Sequence, residues 1–398
     1  MAADSPVLGV GMVGYAFMGA AHSQAWRTAP RVFDLPLDPA MVVLCGRDGA
    51  AAQAAARRLG WAEAQTDWRT LIGRDDVQLI DICTPGDSHA EIAIAALDAG
   101  QHVLCEKPLA NTVAEAEAMA AAAARAGERG VRSMIGFNYR RVPAIALARE
   151  LVPRLGRLRH VRASYLQDWL VDPAFPLTWR LEREHAGAGA LGDLGAHIVD
   201  LAQYLTGQLV TGVSGLTTTF VGERPRPDGT GPGPVTVDDA ALFTAWLGPG
   251  IMASFEATRF ASGRKNGLRI ELNGERGSLA FDLERLNELE YYGGFRGVVP
   301  PGQHGDHDED ARTAGFRRIL VTEPTDPYVS AWWPPGHVLG WEHTFTHEVA
   351  DLVNAISAET DPAPSFADGL QVQRVLDAVR RSAEHESRWT AVPAATIV

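Results

Sequence analysis

Asp193 and His197 stand four residues apart in the stretch Ala188-Gly189-Ala190-Leu191-Gly192-Asp193-Leu194-Gly195-Ala196-His197. A carboxylate and an imidazole at that spacing stack on one face of a helix, and both are residue types used for proton transfer. Leu191, Leu194, Ile198, Leu201 and Leu205 recur at helical spacing and mark the buried stripe of that helix. Asp193 lies two residues past Leu191, about 200° around at roughly 100° per residue, so it is expected to point away from the stripe. Alone, the pair reads as a solvated polar face. Its meaning depends on what the rest of the chain sets opposite it.

A second set of residues suits phosphate. A short apolar strand at 7–10 runs into Gly11-Met12-Val13-Gly14-Tyr15-Ala16-Phe17-Met18-Gly19, and a helix is predicted over about 20–27. Strand, glycine turn and helix form the setting of a dinucleotide fingerprint. Gly14 would make the tight turn and Gly19 would allow close helix–sheet packing. Ala16 replaces the middle glycine that lets backbone approach a pyrophosphate. The helix amino terminus offers free N–H groups and a positive dipole end, although turns of this kind also occur without a ligand. After the second strand, 41–44, an acid usually holds the ribose hydroxyls. Here Gly46 and Arg47 follow and Asp48 comes late, so a cofactor with or without a 2′-phosphate facing Arg47 stays open.

Strands alternating with helices must position these groups. Strands are expected at 79–83, 102–105 and 133–137, with helices at 50–59, 88–99 and about 113–126. That alternation means a doubly wound parallel sheet, whose ligands bind at the carboxyl ends of the strands. Thr84-Pro85, Glu106-Lys107-Pro108 and Asn138-Tyr139-Arg140 all follow strand ends and should surround one crevice. Beyond about residue 139 the pattern changes. A helix at 143–151 and a strand at 158–169 precede the Asp193 helix. Strand-like runs follow at 212–221, 240–247, 251–260, 268–273, 278–282 and 289–292, linked by tight turns. This half reads as α+β with a large, mainly antiparallel sheet. Residues 222–236 read as a long Gly/Pro loop, and helices at 346–358 and 368–384 close the chain. The expected division is 1–138 and 139–398.

The composition bounds the rest. With 398 residues, 46% of them hydrophobic and 21% charged, the chain has room for two globular domains. A formal charge of -13 argues against nucleic acid or an anionic membrane surface as partner. Cys45, Cys83 and Cys105 sit near strand ends and suggest reduced, buried thiols. There is no secretory leader pattern and no spanning run, so a cytoplasmic location is expected. His304, Asp306, His307 and Asp308 read as an acidic surface loop rather than a metal site, and no metal is expected. Trp332-Trp333-Pro334-Pro335-Gly336-His337 is too aromatic for simple exposure and suggests a lid or an oligomer contact.

The Gly14–Gly19 turn, Thr84-Pro85 with His89, Glu106-Lys107-Pro108 and the Asp193/Gly195/His197 helix together resemble the Gfo/Idh/MocA oxidoreductase family over nearly the whole chain. Phe137-Asn138-Tyr139-Arg140-Arg141, Tyr165-Leu166-Gln167-Asp168-Trp169 and Trp179-Arg180 resemble its levoglucosan dehydrogenase and inositol dehydrogenase branch. Gly86 departs from the pattern, since many relatives place an Asn there. The resemblance implies an NAD- or NADP-dependent dehydrogenase that oxidises a ring secondary hydroxyl of a sugar, glycoside or cyclitol, with carbon 3 suggested. It implies His197 as general base, Lys107 as donor to the developing alkoxide or itself the base, and Asp193 as an orienting group. Gly14, Ala16, Phe17, Met18, Gly19, Arg47, Thr84, Pro85, His89, Glu106, Lys107, Asn138, Trp179 and Arg180 are then expected at the cofactor. Tyr139, Gln167, Trp169 and His337, with Lys107, Asp193 and His197, are expected at the substrate. The family also implies a homodimer or homotetramer built on the open sheet. Related chemistry, nicotinamide-assisted glycoside hydrolysis, and a non-catalytic sensor are the alternatives. His22, His89 and His343 read as helix-end or packing histidines.

Overall fold

The computed structural model of the chain describes residues 6–293 and 314–393; residues 303–310, expected as an acidic loop, lie outside them. The first half contains β1 (Val7–Val13), α1 (Phe17–Val32), β2 (Asp38–Cys45), α2 (Gly49–Leu59), β3 (Glu63–Gln65), β4 (Leu79–Ile82), α3 (His89–Asp98), β5 (His102–Glu106), α4 (Val113–Gly127) and β6 (Ser133–Gly136). Its strands are all parallel in the order β3-β2-β1-β4-β5-β6. The order reverses between β1 and β4, so a ligand crevice opens beyond their carboxyl ends. Cys45, Cys83 and Cys105 are buried and unpaired.

Local sequence explains the boundaries. The Asp48 side chain accepts the Ala51 N–H to start α2, and Gly60 ends it at φ 87°. Thr112 and Glu115 form a capping box for α4. Two expectations need correction. α1 begins at Phe17 rather than about 20, and it runs past Pro30, whose missing N–H costs only one bond near the helix end. β3 was not anticipated, because three residues carry no readable alternation.

The second half adds α5 (Pro143–Leu151), β7 (Leu158–Leu166), α6 (Arg183–Ala186), α7 (Ala196–Thr206), β8 (Val210–Thr218), β9 (Glu223–Pro225), β10 (Pro232–Pro234), β11 (Ala240–Leu247), β12 (Ile251–Thr258), β13 (Gly267–Gly274), β14 (Gly277–Asp282), β15 (Glu288–Gly293), β16 (Arg317–Leu320), α8 (His343–Ser357), α9 (Phe366–Glu384) and β17 (Thr390–Ala391). Nine strands join in the order β16-β15-β14-β13-β7-β12-β11-β8-β17. β7 and β12 run parallel and the other described pairs antiparallel. The predicted loop at 222–236 holds the small β9–β10 hairpin. Period-two burial along β11 puts one face against helices and leaves Leu242 and Trp246 exposed on the other. α9 packs on β8 and on α4, and α8 packs on α1. Among the described residues, no helix is long and apolar enough to cross a membrane.

The Trp332 loop is pinned to α8. The Trp332 indole N–H donates to His347 Nε2 at 2.8 Å, and His347 Nδ1 lies 2.9 Å from the Arg141 carbonyl, so this imidazole is neutral with its proton on Nδ1. Burial pushes His347 down to about 3, the Arg141 carbonyl acting the other way. An unfolded histidine binds a proton below about pH 6.5, which the folded one refuses. Its contribution to stability is therefore complete above that value and declines as pH falls toward 3. Thermal melts from pH 7 to 4 are expected to fall more steeply for the wild type than for His347→Gln. Equal slopes would remove His347 from this account.

Candidate active site

α7 is preceded by a wider, π-helical turn at Leu191–Gly195. The turn is built on an acid that sequence reasoning missed. Asp238 accepts the Gly189 N–H at 2.8 Å and the Leu191 N–H at 2.7 Å, satisfying donors that a helix start leaves free. A Cβ at Gly189 would lie 1.7 Å from the Asp238 carbonyl oxygen. This glycine therefore allows the chain to approach its own β10–β11 connection.

The turn aims Asp193 at two cations. Lys107, just past β5, donates from Nζ to Asp193 Oδ1 at 3.0 Å and to the Asp193 carbonyl oxygen at 3.0 Å. Arg259, just past β12, donates from Nη2 to Asp193 Oδ2 at 3.1 Å. Burial pushes the Asp193 carboxyl up, but the charges of Lys107 and Arg259, the Lys107 hydrogen bond and Arg180 outweigh it. The group ends far below the usual carboxylate range. Asp193 and His197 share no hydrogen bond; helical spacing brought them near each other, and tertiary partners separated their roles.

His197 is buried in an aromatic cage. Its ring centroid lies 4.5 Å from Tyr139, 5.8 Å from Tyr165 and 6.1 Å from Phe137. Neither ring nitrogen has a hydrogen-bond partner among the described residues. Burial and the nearby Lys107 charge pull the imidazole well below its ordinary value, Asp193 acting the other way. It is a neutral base with a free lone pair. A directed chain braces the cage: the Trp341 N–H donates to the Tyr139 hydroxyl at 3.3 Å. Tyr139 lies 2.9 Å from the Tyr165 hydroxyl, which donates to Asn266 Oδ1 at 2.6 Å. Gln167 also donates to Asn266 and accepts from Trp169, so its amide is engaged inside the protein at both ends. Asp200, on α7, pairs with Arg140 and locks α7 against the Tyr139 loop.

The other expected residues divide. The cradle fits a dinucleotide. Gly14 has φ 103°, and a Cβ on Gly19 would lie 2.2 Å from the Gly14 carbonyl oxygen. Ala16 caps α1 without a side-chain acceptor, and its first turn carries no acid, so its N–H groups suit an anion. Phe17 is exposed and stacks on Trp341 at 5.3 Å, and Met18 packs partly buried beside it. Arg47 is exposed. Trp179 and Arg180 form a half-buried turn, and burial pulls Arg180 below its usual range while Asp193 opposes this. Thr84 and Pro85 lead from β4 into the turn Gly86–Ser88. A Cβ at Gly86 would lie 2.4 Å from Asn111 Oδ1, so Asn111 occupies the place the expected side chain would need.

Several groups serve the frame instead. The His89 ring nitrogens face the frame, Nε2 lying 2.9 Å from the Thr84 carbonyl and Nδ1 3.1 Å from that of Pro108. Asn138 donates to Thr344. His337 is exposed on its own turn, bonded to Pro334, and no contact joins it to the site. His22 is more than a packing residue. It bridges Asp81 and Glu106 at 3.0 Å each, and the free Glu106 oxygen accepts the Lys107 backbone N–H at 3.2 Å. His22, Asp81 and Cys83 are a set of possible metal ligands among the described residues, but Asp81 is already bonded to His22 and to Trp26.

A family model described as an oxidoreductase family with an NAD-binding Rossmann fold matches residues 8–134. One described as a GFO/IDH/MocA C-terminal domain matches residues 145–280. A levoglucosan dehydrogenase from Pseudarthrobacter phenanthrenivorans is 40% identical, the match covering 97% of this chain and 98% of that one. The crystal structure of an oxidoreductase domain protein from Kribbella flavida is 64% identical, with TM-score 0.92, covering 98% of this chain and 100% of that one. A levoglucosan dehydrogenase in complex with NADH and levoglucosan is 40% identical, with TM-score 0.89, covering 97% and 99%.

Proposed function

Because this chain belongs to the GFO/IDH/MocA family of NAD-binding oxidoreductases, we propose that it oxidises one ring secondary hydroxyl, at carbon 3, of an anhydrosugar or glycoside. The observation that carries the reading is the meeting of a neutral, unpartnered imidazole with an ion-paired ammonium beyond β5. When bound, NAD supplies the acceptor for the hydride that leaves the carbinol carbon.

The chain's own residues manage the proton and the oxygen. His197 accepts the hydroxyl proton on its free nitrogen and later passes it to solvent. Lys107 spends two of its three N–H donors on Asp193, leaving one to steady the oxygen as it gains negative charge. This division favours histidine over lysine as base, since the lysine nitrogen is engaged by Asp193 while the imidazole nitrogens have no partner among the described residues. Trp169, half-buried, offers aromatic surface of the kind that suits sugar C–H groups, and Asn266, whose amide N–H groups have no acceptor among the described residues, suits a hydroxyl. Leu216, Leu242, Trp246 and Met252 are exposed on the open sheet, an apolar face suited to a second copy of the chain.

Levoglucosan, glucose, simple glucosides and inositols tested with NAD⁺ and with NADP⁺ should show net nicotinamide reduction with NAD⁺ on a pyranose ring. Absence of reduction across the panel would sink the reading. Deuterium placed at carbon 3 of the best substrate should appear in the reduced cofactor; its retention in the ketone would move the reaction to another carbon. A molar mass in solution equal to one chain would remove the second copy.

A further inference from the structure

We propose that Arg259 is a positioning residue of this site, gripping the Asp193 carboxylate from the side away from Lys107 and holding it turned toward that ammonium. The inference rests on the reading of Lys107, Asp193 and His197 given above and adds a residue to it.

Arg259 is anchored before its charge is used. It directly follows β12, and its backbone N–H donates to the Asp239 carbonyl at 3.1 Å. Its guanidinium is only 1% exposed and its carbon lies 5.3 Å from the centre of the Trp169 ring, a contact favourable to a cation. Nη2 alone is engaged, with the Gly189 carbonyl at 3.0 Å and Asp193 Oδ2 at 3.1 Å. Nε and Nη1 have no acceptor among the described residues.

Unpaired donors at this depth are costly, and an arginine serving only the fold should place its fork to avoid them. Buried Arg224 does so more fully, donating through both terminal nitrogens to the carbonyls of Leu170, Asp172 and Phe175. Arg259 leaves two nitrogens unspent while the third reaches both ends of the Gly189–Asp193 turn. That geometry suits aiming one carboxylate rather than filling a core.

The consequence is a divided carboxylate, Oδ1 on Lys107 and Oδ2 on Arg259. Both oxygens are tethered from different parts of the chain, so the side chain cannot rotate away when Lys107 turns its third N–H to substrate. The groups facing Asp193 are Lys107, Arg259 and Arg180 as cations, neutral His197, and the Tyr165 hydroxyl.

The test is a pH titration of the Asp193 carboxyl by ¹³C NMR on the substrate-free full chain. The signal is assigned by its loss in Asp193→Asn. In the wild type it should stay ionised to the lowest pH at which the protein remains folded. In Arg259→Met the carboxyl should begin to take up its proton within that folded pH range, the direction a lost neighbouring cation produces, and Arg259→Lys should move the onset back toward lower pH. Arg259→Gln, which keeps donors without charge, serves if the Met variant does not fold. A carboxyl that stays ionised over the same folded pH range as in the wild type, in whichever of these two folds, would overturn the proposal. With a working substrate, Arg259→Met should lower kcat by about 10²-fold through misplacement and leave NADH affinity unchanged. A variant that loses melting temperature but not kcat would mark Arg259 as structural only. If the sugar panel fails, the proposed reaction falls, while the titration still decides whether Arg259 controls Asp193.

Discussion

Lys107→Met should lower kcat by about 10³-fold, the loss that follows removal of a preorganised donor at a developing oxyanion. Methionine keeps the apolar stem of lysine while deleting every side-chain N–H. The variant isolates the ammonium from the packing of the Lys107–Pro108 segment, which Glu106 holds through the Lys107 backbone N–H. Binding of NADH should survive, because the glycine turn and the first turn of α1 are untouched. Arg at this position should rescue little. It keeps a charge but presents a planar fork where two acceptors on one residue, the Asp193 carbonyl and Oδ1, are met by a single nitrogen. Steady-state kinetics with fluorescence titration of NADH check both statements. Near wild-type kcat in Lys107→Met would withdraw lysine from the chemistry.

Loss of the imidazole in His197→Ala is expected to cost about 10²- to 10⁴-fold in kcat/KM, the range for a positioned general base. Two features make the expectation specific. The ring nitrogens have no partner among the described residues, and burial and the Lys107 charge hold the group well below its ordinary value. A base must be unprotonated to act. With the folded value below 6.5, the acid limb that His197 sets in the wild-type kcat/KM profile should lie below pH 6.5. That limb should disappear in the alanine variant, and added imidazole should restore part of the rate if the cage formed by Tyr139, Tyr165 and Phe137 stays open. An acid limb at the same pH in His197→Ala would assign it to another group.

The two predictions test a site whose residues were unequally legible. Gly14 and Gly19 could be read because turn geometry is local: a φ of 103° and a contact between residues five apart are decided within one strand–helix corner. The Asp193–His197 helix could be read from its apolar period, but the orientation of Asp193 could not. A π turn shifts the phase that an α-helical count assumes, and it exists because Asp238, far along the chain, holds the N–H groups of Gly189 and Leu191. Gln167 shows the same limit from the other side. Its type and place suggest a sugar ligand, and only the structure shows that one amide N–H goes to Asn266 while its oxygen accepts from Trp169. His337, also expected at substrate, sits on an exposed turn bonded to Pro334.

By itself the sequence determined a parallel nucleotide-binding half, a mainly antiparallel second half, and the ends of strands where chemistry would gather. Alternation of period two and period 3.6, capping residues and glycine turns are written within a few residues of where they act. Tertiary structure alone decided the pairing. Arg259 follows a strand with nothing nearby to distinguish it from a surface cation, and His22 sits on the second turn of a helix as a packing histidine would. Each gains its role from carboxylates that are dozens of residues away in sequence and about 3 Å away in space, Asp193 for Arg259, Asp81 and Glu106 for His22. Charge acts through space, and burial multiplies its effect by removing the water that would screen it. A spacing rule can place a carboxylate on a helix; which cation answers it is settled only when the sheets close around it.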